Sequence, residues 1–154
     1  MCIRDRVVKA LLAVGGMNIN ATTNFWGRST PIFEASNNGN TAIMKLLLAV
    51  AWTSTRQIGK GVPLFTLPYK GHIEVVKALL AVDGVDVNAA SSMRITPLHV
   101  ASLRGHLAVV HALLAADGVD VNAYELVSGC TPLGTSIRMG RKKVEAVLRA
   151  FGAA

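Results

Sequence analysis

The sequence is poor in the features that mark secreted, membrane-spanning and catalytic proteins. Its 154 residues contain two cysteines, Cys2 and Cys130, too few for a disulfide framework, which indicates a reducing compartment. No apolar run approaches the roughly 18 residues that a membrane-spanning helix needs. The apolar segment near the N-terminus is interrupted by Lys9 and lacks a small-residue cleavage site, so we predict a helix at 7–14 rather than a signal peptide. We therefore expect an intracellular, cytoplasmic protein without a transmembrane segment.

Residue types used in catalysis and metal binding are present, but not at the spacings that these functions require. His106 and His111 are five residues apart, which does not place them on one helix face as metal-binding histidines four apart would lie. Gly59-Lys60-Gly61 lacks the other residues of a phosphate-binding loop, and no serine lies in a G-x-S-x-G motif. The chain has two aspartate pairs, Asp83 with Asp86 and Asp117 with Asp120. They do not follow the calcium-loop pattern and are typical of turns, so we predict no enzyme, no metal site and no cofactor.

What the sequence does contain is a pattern that repeats about every 34 residues. Prolines recur at intervals of 32, 34 and 35 residues, at Pro31, Pro63, Pro97 and Pro132. Leucines recur at intervals of 36, 32, 34 and 34 residues, at Leu12, Leu48, Leu80, Leu114 and Leu148. The segment DGVDVNA occurs at 83–89 and again at 117–123. A period of this length predicts stacked units, each of which buries its apolar face against its neighbours.

The unit at 96–123 shows what one repeat contains. Thr96 suits a helix N-cap, and Pro97 suits the first helical position because its φ is already helical. Gly105 ends this first helix, and Gly118 is predicted to end the second. The apolar stripe of the second helix consists of Leu107, Val110, Leu113 and Leu114. Neither helix is long enough to be stable in water by itself, so the unit requires neighbours.

The sequence motifs of this unit resemble the ankyrin repeat. TPLHVA at 96–101 fits the T-P-L-H-x-A pattern, and Gly-His precedes VV and LL at both 71–80 and 105–114. The resemblance covers nearly the whole chain from about Val7, and it implies an all-α solenoid of helix-turn-helix units joined by β-hairpin-like loops. We expect a single domain over 1–154, divided into a partial repeat at 1–23 and repeats at about 24–54, 55–89, 90–123 and 124–154.

The chain departs from the family pattern in its first half. Pro68 falls inside the first helix of the third repeat, where proline removes a hydrogen bond, so we predict that this helix is distorted or starts late. The connector Ala51 to Gly61 has Ser54 in place of the repeat-end asparagine, and we predict that it is shortened or irregular. The repeat at 1–23 lacks a first helix, and its first six residues match nothing in the pattern. We therefore expect the chain to be a fragment of a longer protein.

The resemblance also implies roles for the repeated polar residues and a surface for binding. Histidines at the positions of His72, His99 and His106 hydrogen-bond the backbone and join neighbouring units, and Asn20 is a repeat-end asparagine. Ankyrin repeats bind proteins in a concave groove lined by the hairpin tips and the exposed side of the first helices. Carried over by position, the tip candidates are Phe25, Trp26, Arg28, Ser92, Met93, Arg94, Ile95, Tyr124, Leu126, Val127 and Cys130. The first-helix candidates are Asn37, Asn38, Tyr69, Lys70, Leu103, Arg104, Arg138 and Met139.

Several of these candidates are aromatic, Met or Arg residues, the types enriched at the centres of interfaces. The alternative is that Phe25, Trp26 and Tyr124 only hold their own loops in place. The resemblance favours a monomeric, non-enzymatic module that binds another protein. A second interpretation is a targeting segment of a larger enzyme or receptor whose chemistry lies outside this chain.

The charge suggests a third interpretation. Sixteen Lys and Arg oppose nine Asp and Glu, for a net charge of +7, and the excess is concentrated between Arg138 and Arg149. Such a surface attracts nucleic acid, an acidic membrane surface or an acidic protein partner. No aromatic platform is interleaved with these cations, and a solvated face of the last repeat is the simpler explanation.

Overall fold

The fold is described from a computed structural model, which covers Pro31, Ala35 and residues 38–47, 70–82 and 85–153. The chain divides into two compact units, Met1–Val62 and Pro63–Ala154. Several predictions concern residues outside the described ranges: the partial repeat at 1–23 with its helix at 7–14 and Asn20, the connector Ala51 to Gly61, and the helix that contains Pro68. The predicted repeat boundaries likewise stay predictions.

In the first unit, residues 41–47 form a helix that follows a turn at 38–40. The backbone N–H of Asn40 donates to the oxygen of Ala35 at 2.8 Å, which closes this turn. Met44 and Leu47 are buried, whereas Ile43 and Leu46 are half-buried. The inward stripe of this helix therefore centres on Met44 and Leu47.

The described part of the second unit contains five helices and no strand. They are α1 (Ile73–Leu80), α2 (Pro97–Arg104), α3 (Leu107–Leu114), α4 (Pro132–Arg138) and α5 (Lys142–Ala150). The first helices α2 and α4 pack against each other, and each also packs against the second helix of its own pair. The second helices α1, α3 and α5 form the other layer, with α3 between its two neighbours. This arrangement confirms the expected all-α stack of helix pairs. Within the described ranges, no helix is long and apolar enough to cross a bilayer.

Threonine and proline together start the two first helices, as predicted. The Oγ1 atoms of Thr96 and Thr131 accept hydrogen bonds from the backbone N–H three residues later, at 3.4 and 3.2 Å. Pro97 and Pro132 occupy the first turn, where the missing N–H of proline costs nothing. α2 ends at Gly105, whose φ of +75° is left-handed.

The predicted end of the second helix was wrong. α3 ends at Leu114, and Gly118, with a φ of +76°, lies in the turn that follows. The N–H of Ala116 bonds to the oxygen of Leu113 at 3.1 Å, three residues back, so the chain tightens and leaves the α-helix before it reaches the glycine.

Apolar side chains between the two layers form the core. The most completely buried in the second unit are Val75, Val76, Leu79, Leu98, Ala101, Val109, Val110, Leu113, Val144 and Leu148. Each fully buried aliphatic side chain contributes roughly 1.5–3 kcal/mol relative to an exposed one. Leu107, which the periodicity placed inward, is half-buried at the margin, as is Val147. The stability of each repeat therefore depends on the layers of its neighbours.

Candidate interaction surface

Two hairpin-like loops project from the stack, and each is closed by its own backbone hydrogen bonds. In the first, the N–H of Ser91 donates to the oxygen of Ile95 at 3.1 Å, and Arg94 adopts a left-handed φ of +59°. In the second, the N–H of Glu125 donates to the oxygen of Cys130 at 3.1 Å. The backbone of both tips is therefore held by hydrogen bonds before any binding partner arrives.

A single backbone hydrogen bond joins the two tips and brings their apolar residues together. The N–H of Leu126 donates to the oxygen of Met93 at 2.9 Å. The large apolar side chains at these tips are unusually exposed, at 53% for Met93, 53% for Tyr124, 60% for Leu126 and 69% for Val127. We call these four residues the tip patch. Isolated exposed apolar residues need no explanation, whereas groups of them on adjacent loops are common in interaction sites.

Arg94 and Tyr124 form a second link between the tips. The Nη1 atom of Arg94 donates to the Tyr124 hydroxyl at 2.5 Å, and the guanidinium carbon lies 5.0 Å from the centre of the ring. This distance is within the range of a cation–π interaction. Tyr124 therefore contacts the preceding hairpin, rather than only its own loop.

Glu125 orders the second tip, a role that the sequence analysis missed. Its carboxylate accepts hydrogen bonds from the N–H groups of Val127 at 2.5 Å and Ser128 at 2.9 Å, and from the Ser128 hydroxyl. The bond from the Ser128 hydroxyl, followed by those from the backbone, outweighs desolvation and lowers the pKa of Glu125. The sequence signal that could have predicted this role is an acidic residue three positions before a serine-glycine pair in a turn-rich segment. With its carboxylate directed inward, the loop presents Leu126 and Val127 to solvent.

Of the histidines predicted to hydrogen-bond the backbone of a neighbouring repeat, His99 does so. His99 bonds through Nε2 to the oxygen of Cys130 at 3.0 Å, and His106 packs over Gly71, where a Cβ atom would lie 2.7 Å from the imidazole. His72 makes no capping hydrogen bond. These contacts confirm a structural role for His99 and His106.

The repeat-end asparagine joins two successive connectors. Asn88 donates through Nδ2 to the oxygen of Gly118 and accepts through Oδ1 from the N–H of Asp120, both at 2.8 Å. Asp86 and Asp120 each accept from the backbone N–H two residues later, at 2.9 and 3.0 Å, as predicted for turn-forming aspartates. Among the described residues, no group of His, Cys, Asp or Glu is arranged to hold a metal ion.

The turns between paired helices, at the side of the stack away from the hairpin tips, carry a row of cations. The turns between paired helices stack on one another, because His106 covers Gly71 and Arg141 covers Gly105. The exposed cations at these turns are Lys70, Arg104, Arg138 and Arg141, which we call the basic edge. Arg141 was predicted simply to face solvent. It is exposed, yet its Nε donates to the oxygen of Leu103 at 3.2 Å, which ties the last turn to the preceding one.

The predicted site residues thus separate into two groups at opposite ends of the first helices. Ser92, Met93, Arg94, Tyr124, Leu126 and Val127 are exposed at the tips, where Ile95 and Cys130 are half-buried. At the turn ends, Lys70, Arg104, Arg138 and Met139 are exposed and Leu103 is half-buried; Asn38, in the first unit, is also exposed. Phe25, Trp26, Arg28, Asn37 and Tyr69 lie outside the described residues.

Stacked helix pairs that recur every 34 or so residues and carry hairpin loops at one end define a helical repeat protein of the solenoid class. The family described as "Ankyrin repeats (3 copies)" matches residues 1–90 and 64–153, and the chain belongs to the ankyrin repeat family. A comparison with curated proteins finds none that matches this chain. Ankyrin repeats are generally protein-protein interaction modules, and the family is typically non-enzymatic.

Proposed function

We propose that this chain is a non-enzymatic module that binds another protein through the tip patch and the neighbouring exposed sides of the first helices. The observation that carries the proposal is the hydrogen bond from Leu126 to Met93. It holds exposed apolar side chains from two successive repeats next to each other.

The rigidity of the tips favours binding. Each loop is closed by its own hydrogen bonds, and Glu125 fixes the second loop from within. A surface that is ordered before binding loses less conformational entropy when the partner arrives, so more of the interaction energy appears as affinity. We therefore expect little backbone movement at the tips on binding.

The chemistry of the tip patch fits a protein partner. Covering Met93 and Leu126 removes apolar area from water, which contributes about 25 cal/mol per Å². Arg94 and Tyr124 lie beside them, and Arg, Tyr and Met are types enriched in the buried centres of interfaces. An apolar centre with a polar surround also predicts binding that persists at high salt, unlike binding to phosphate groups.

The proposal is tested with protein ligands selected for binding to the purified chain from a displayed library of random peptides. Dissociation constants are measured for wild type and for the double variant Met93→Ser/Leu126→Ser, at low and high salt. We expect the double variant to bind about tenfold more weakly or worse, at both salt concentrations.

Phe151→Ser supplies the matched control, because Phe151 is 51% exposed but follows α5 in the other layer. It should leave affinity within about twofold. Ligands whose binding is insensitive to the tip substitutions, or equally sensitive to the Phe151 substitution, would show that the tip patch is not the binding site.

A further inference from the structure

The basic edge repeats in step with the stack. Lys70 lies in the turn before α1, and Arg104 and Arg138 are the last residues of α2 and α4, one cation per repeat; each is exposed. Their turns lie side by side, since His106 packs on Gly71 and Arg141 packs on Gly105 and bonds to Leu103. The cations therefore form a row that runs along the stack, not a cluster within one repeat.

Five of the six acidic side chains in the described residues are engaged in ion pairs or turn hydrogen bonds. α2 and α4 contain no Asp or Glu. On the second helices, Glu74 pairs with Lys77 at 3.7 Å and Glu145 pairs with Arg149 at 2.9 Å. Three further acids hold turns and loops through hydrogen bonds from backbone N–H groups: Asp86, Asp120 and Glu125. Within residues 70–82 and 85–153, Arg138 and its neighbours Lys142 and Lys143 form no ion pair. This edge consequently carries an excess of positive charge.

We propose that the basic edge binds an extended acidic segment of the partner protein, with carboxylates at about every third residue. Packed neighbouring helices lie about 8–10 Å apart, which sets the spacing of the cations along the row. An extended chain advances about 3.3 Å per residue, so three residues span one repeat. The inference deepens the proposed function, on which it rests, by naming the chemistry of the partner.

Two observations favour a peptide over nucleic acid. Ile137 and Met139 are exposed at the same turn as Arg138, and an apolar side chain of a peptide finds contacts there that a phosphate chain does not offer. The cations are also sparse, at about one per 10 Å, whereas duplex DNA carries one charge per about 1.7 Å of its axis. Within the described turns 70–72, 103–106 and 138–141 there is no Phe, Tyr or Trp on which the bases of a single strand could stack.

The test measures fluorescence anisotropy of a labelled peptide with four glutamates, each separated by two residues of glycine and serine. A second peptide carries the same residues with its glutamates in one block. The triple variant Lys70→Gln/Arg104→Gln/Arg138→Gln removes three charges from the edge and keeps Arg141, whose Nε bonds to the oxygen of Leu103. The control Lys45→Gln/Lys77→Gln/Arg149→Gln removes the same charge from exposed positions on second helices. Thermal melts confirm that both variants are folded.

We expect the spaced peptide to bind wild type several-fold more tightly than the block peptide. The edge variant should weaken binding about tenfold, and the control variant less than about threefold, since exposed ion pairs each contribute a modest amount. Equal losses in both variants would reduce the effect to net charge and overturn the proposal, as would equal affinity for the two peptides or no measurable binding of either. Tighter binding of a five-nucleotide DNA strand or of phosphatidylserine vesicles would assign the edge to nucleic acid or lipid instead.

The outcome is separable from that of the proposed function. The peptide has no apolar anchor, so Met93→Ser/Leu126→Ser should leave its affinity unchanged. Failure at the basic edge therefore leaves the test of the tip patch intact, and failure at the tip patch leaves the acidic peptide result standing.

Discussion

The Nε2 atom of His99 lies 3.0 Å from the backbone oxygen of Cys130, 31 residues further along the chain. Because a carbonyl oxygen can only accept, Nε2 carries the proton, and Nδ1 is left to accept from the backbone N–H of Thr96 at 3.3 Å. One imidazole in a single neutral tautomer thus caps its own helix and holds the next hairpin.

Replacing His99 should destabilise the stack through both bonds. His99→Ala leaves the N–H of Thr96 without this partner and the oxygen of Cys130 with only the N–H of Glu125. A buried polar group left unpaired, here the N–H of Thr96, costs about 1–3 kcal/mol. Urea unfolding of His99→Ala should show this loss in the free energy of unfolding. His111→Ala, at an exposed position on α3, is the control and should change it by less than about 0.5 kcal/mol. Similar losses in both variants would contradict the role given to His99.

His99 should also make stability depend on pH. Burial is the largest influence and lowers the pKa of His99 below the ordinary 6.5, so the unfolded chain takes up this proton first as the pH falls. The contribution is fully present above pH 6.5 and is lost as the pH falls through the folded pKa, by at most about 1.4 kcal/mol per pH unit. Unfolding of wild type and His99→Gln at several pH values measures the difference between them. A wild-type slope that His99→Gln retains in full would assign it to other groups.

Glu125 should add a separate loss at lower pH. The hydrogen bond from Ser128 lowers its pKa below the ordinary 4.5, so its stabilising contribution is present above pH 4.5 and declines as the pH falls through the folded value. Glu125→Gln should remove that acid-dependent part while leaving the change that begins near pH 6.5. The same unfolding series on this variant separates the two windows.

Alanine at three glycines should reveal how tightly the turns stack. Gly71, Gly105 and Gly140 all have left-handed φ, so alanine costs each about 1–2 kcal/mol. A Cβ meets nothing at Gly140, the flexible Arg141 side chain at 2.9 Å for Gly105, and the rigid His106 ring at 2.7 Å for Gly71. Losses in melting temperature should increase in that order, and adding His106→Ala should recover part of the loss in Gly71→Ala. Equal losses at all three would show that only backbone strain is measured.

Ser102→Ala should stabilise the protein. The hydroxyl of Ser102 is fully buried and has no hydrogen-bond partner, and removing such a group saves its desolvation cost, about 1 kcal/mol. Ser136 provides the matched comparison, since its buried hydroxyl donates to the oxygen of Leu133 at 2.8 Å. Thermal melts should show a rise for Ser102→Ala and a fall or no change for Ser136→Ala. A fall for Ser102→Ala would indicate that the hydroxyl has a partner in solution.

The regular parts of this fold could be predicted from the sequence because they repeat. Thr96, Pro97 and Gly105 act through local backbone geometry, and their effects are the same wherever the pattern recurs. The role of His99 could be predicted because this residue occupies the histidine position of the T-P-L-H-x-A pattern. The stop of α3 at Leu114 was missed because Gly118 is a stronger local signal than the tightening of the chain before it.

The candidate surface was harder to predict because its contacts join residues that vary between repeats. The bond between Arg94 and Tyr124 and the contact of Arg141 with Leu103 depend on which side chains meet across a repeat boundary, which a pattern within one repeat does not contain. Exposure of Met93 and Leu126 followed from their place in the loops. Their juxtaposition required the structure.

The side-chain tethers described here join each repeat to its immediate neighbour: Asn88 to Gly118 spans 30 residues, and Arg94 to Tyr124 also spans 30. Tension applied to the ends of this part of the chain would act on these links in series, so the weakest boundary yields first. Because each repeat contacts only its neighbours, we expect the stack to extend by opening one boundary at a time rather than by a single cooperative rupture. The helix pairs on either side of an opened boundary would then stay folded.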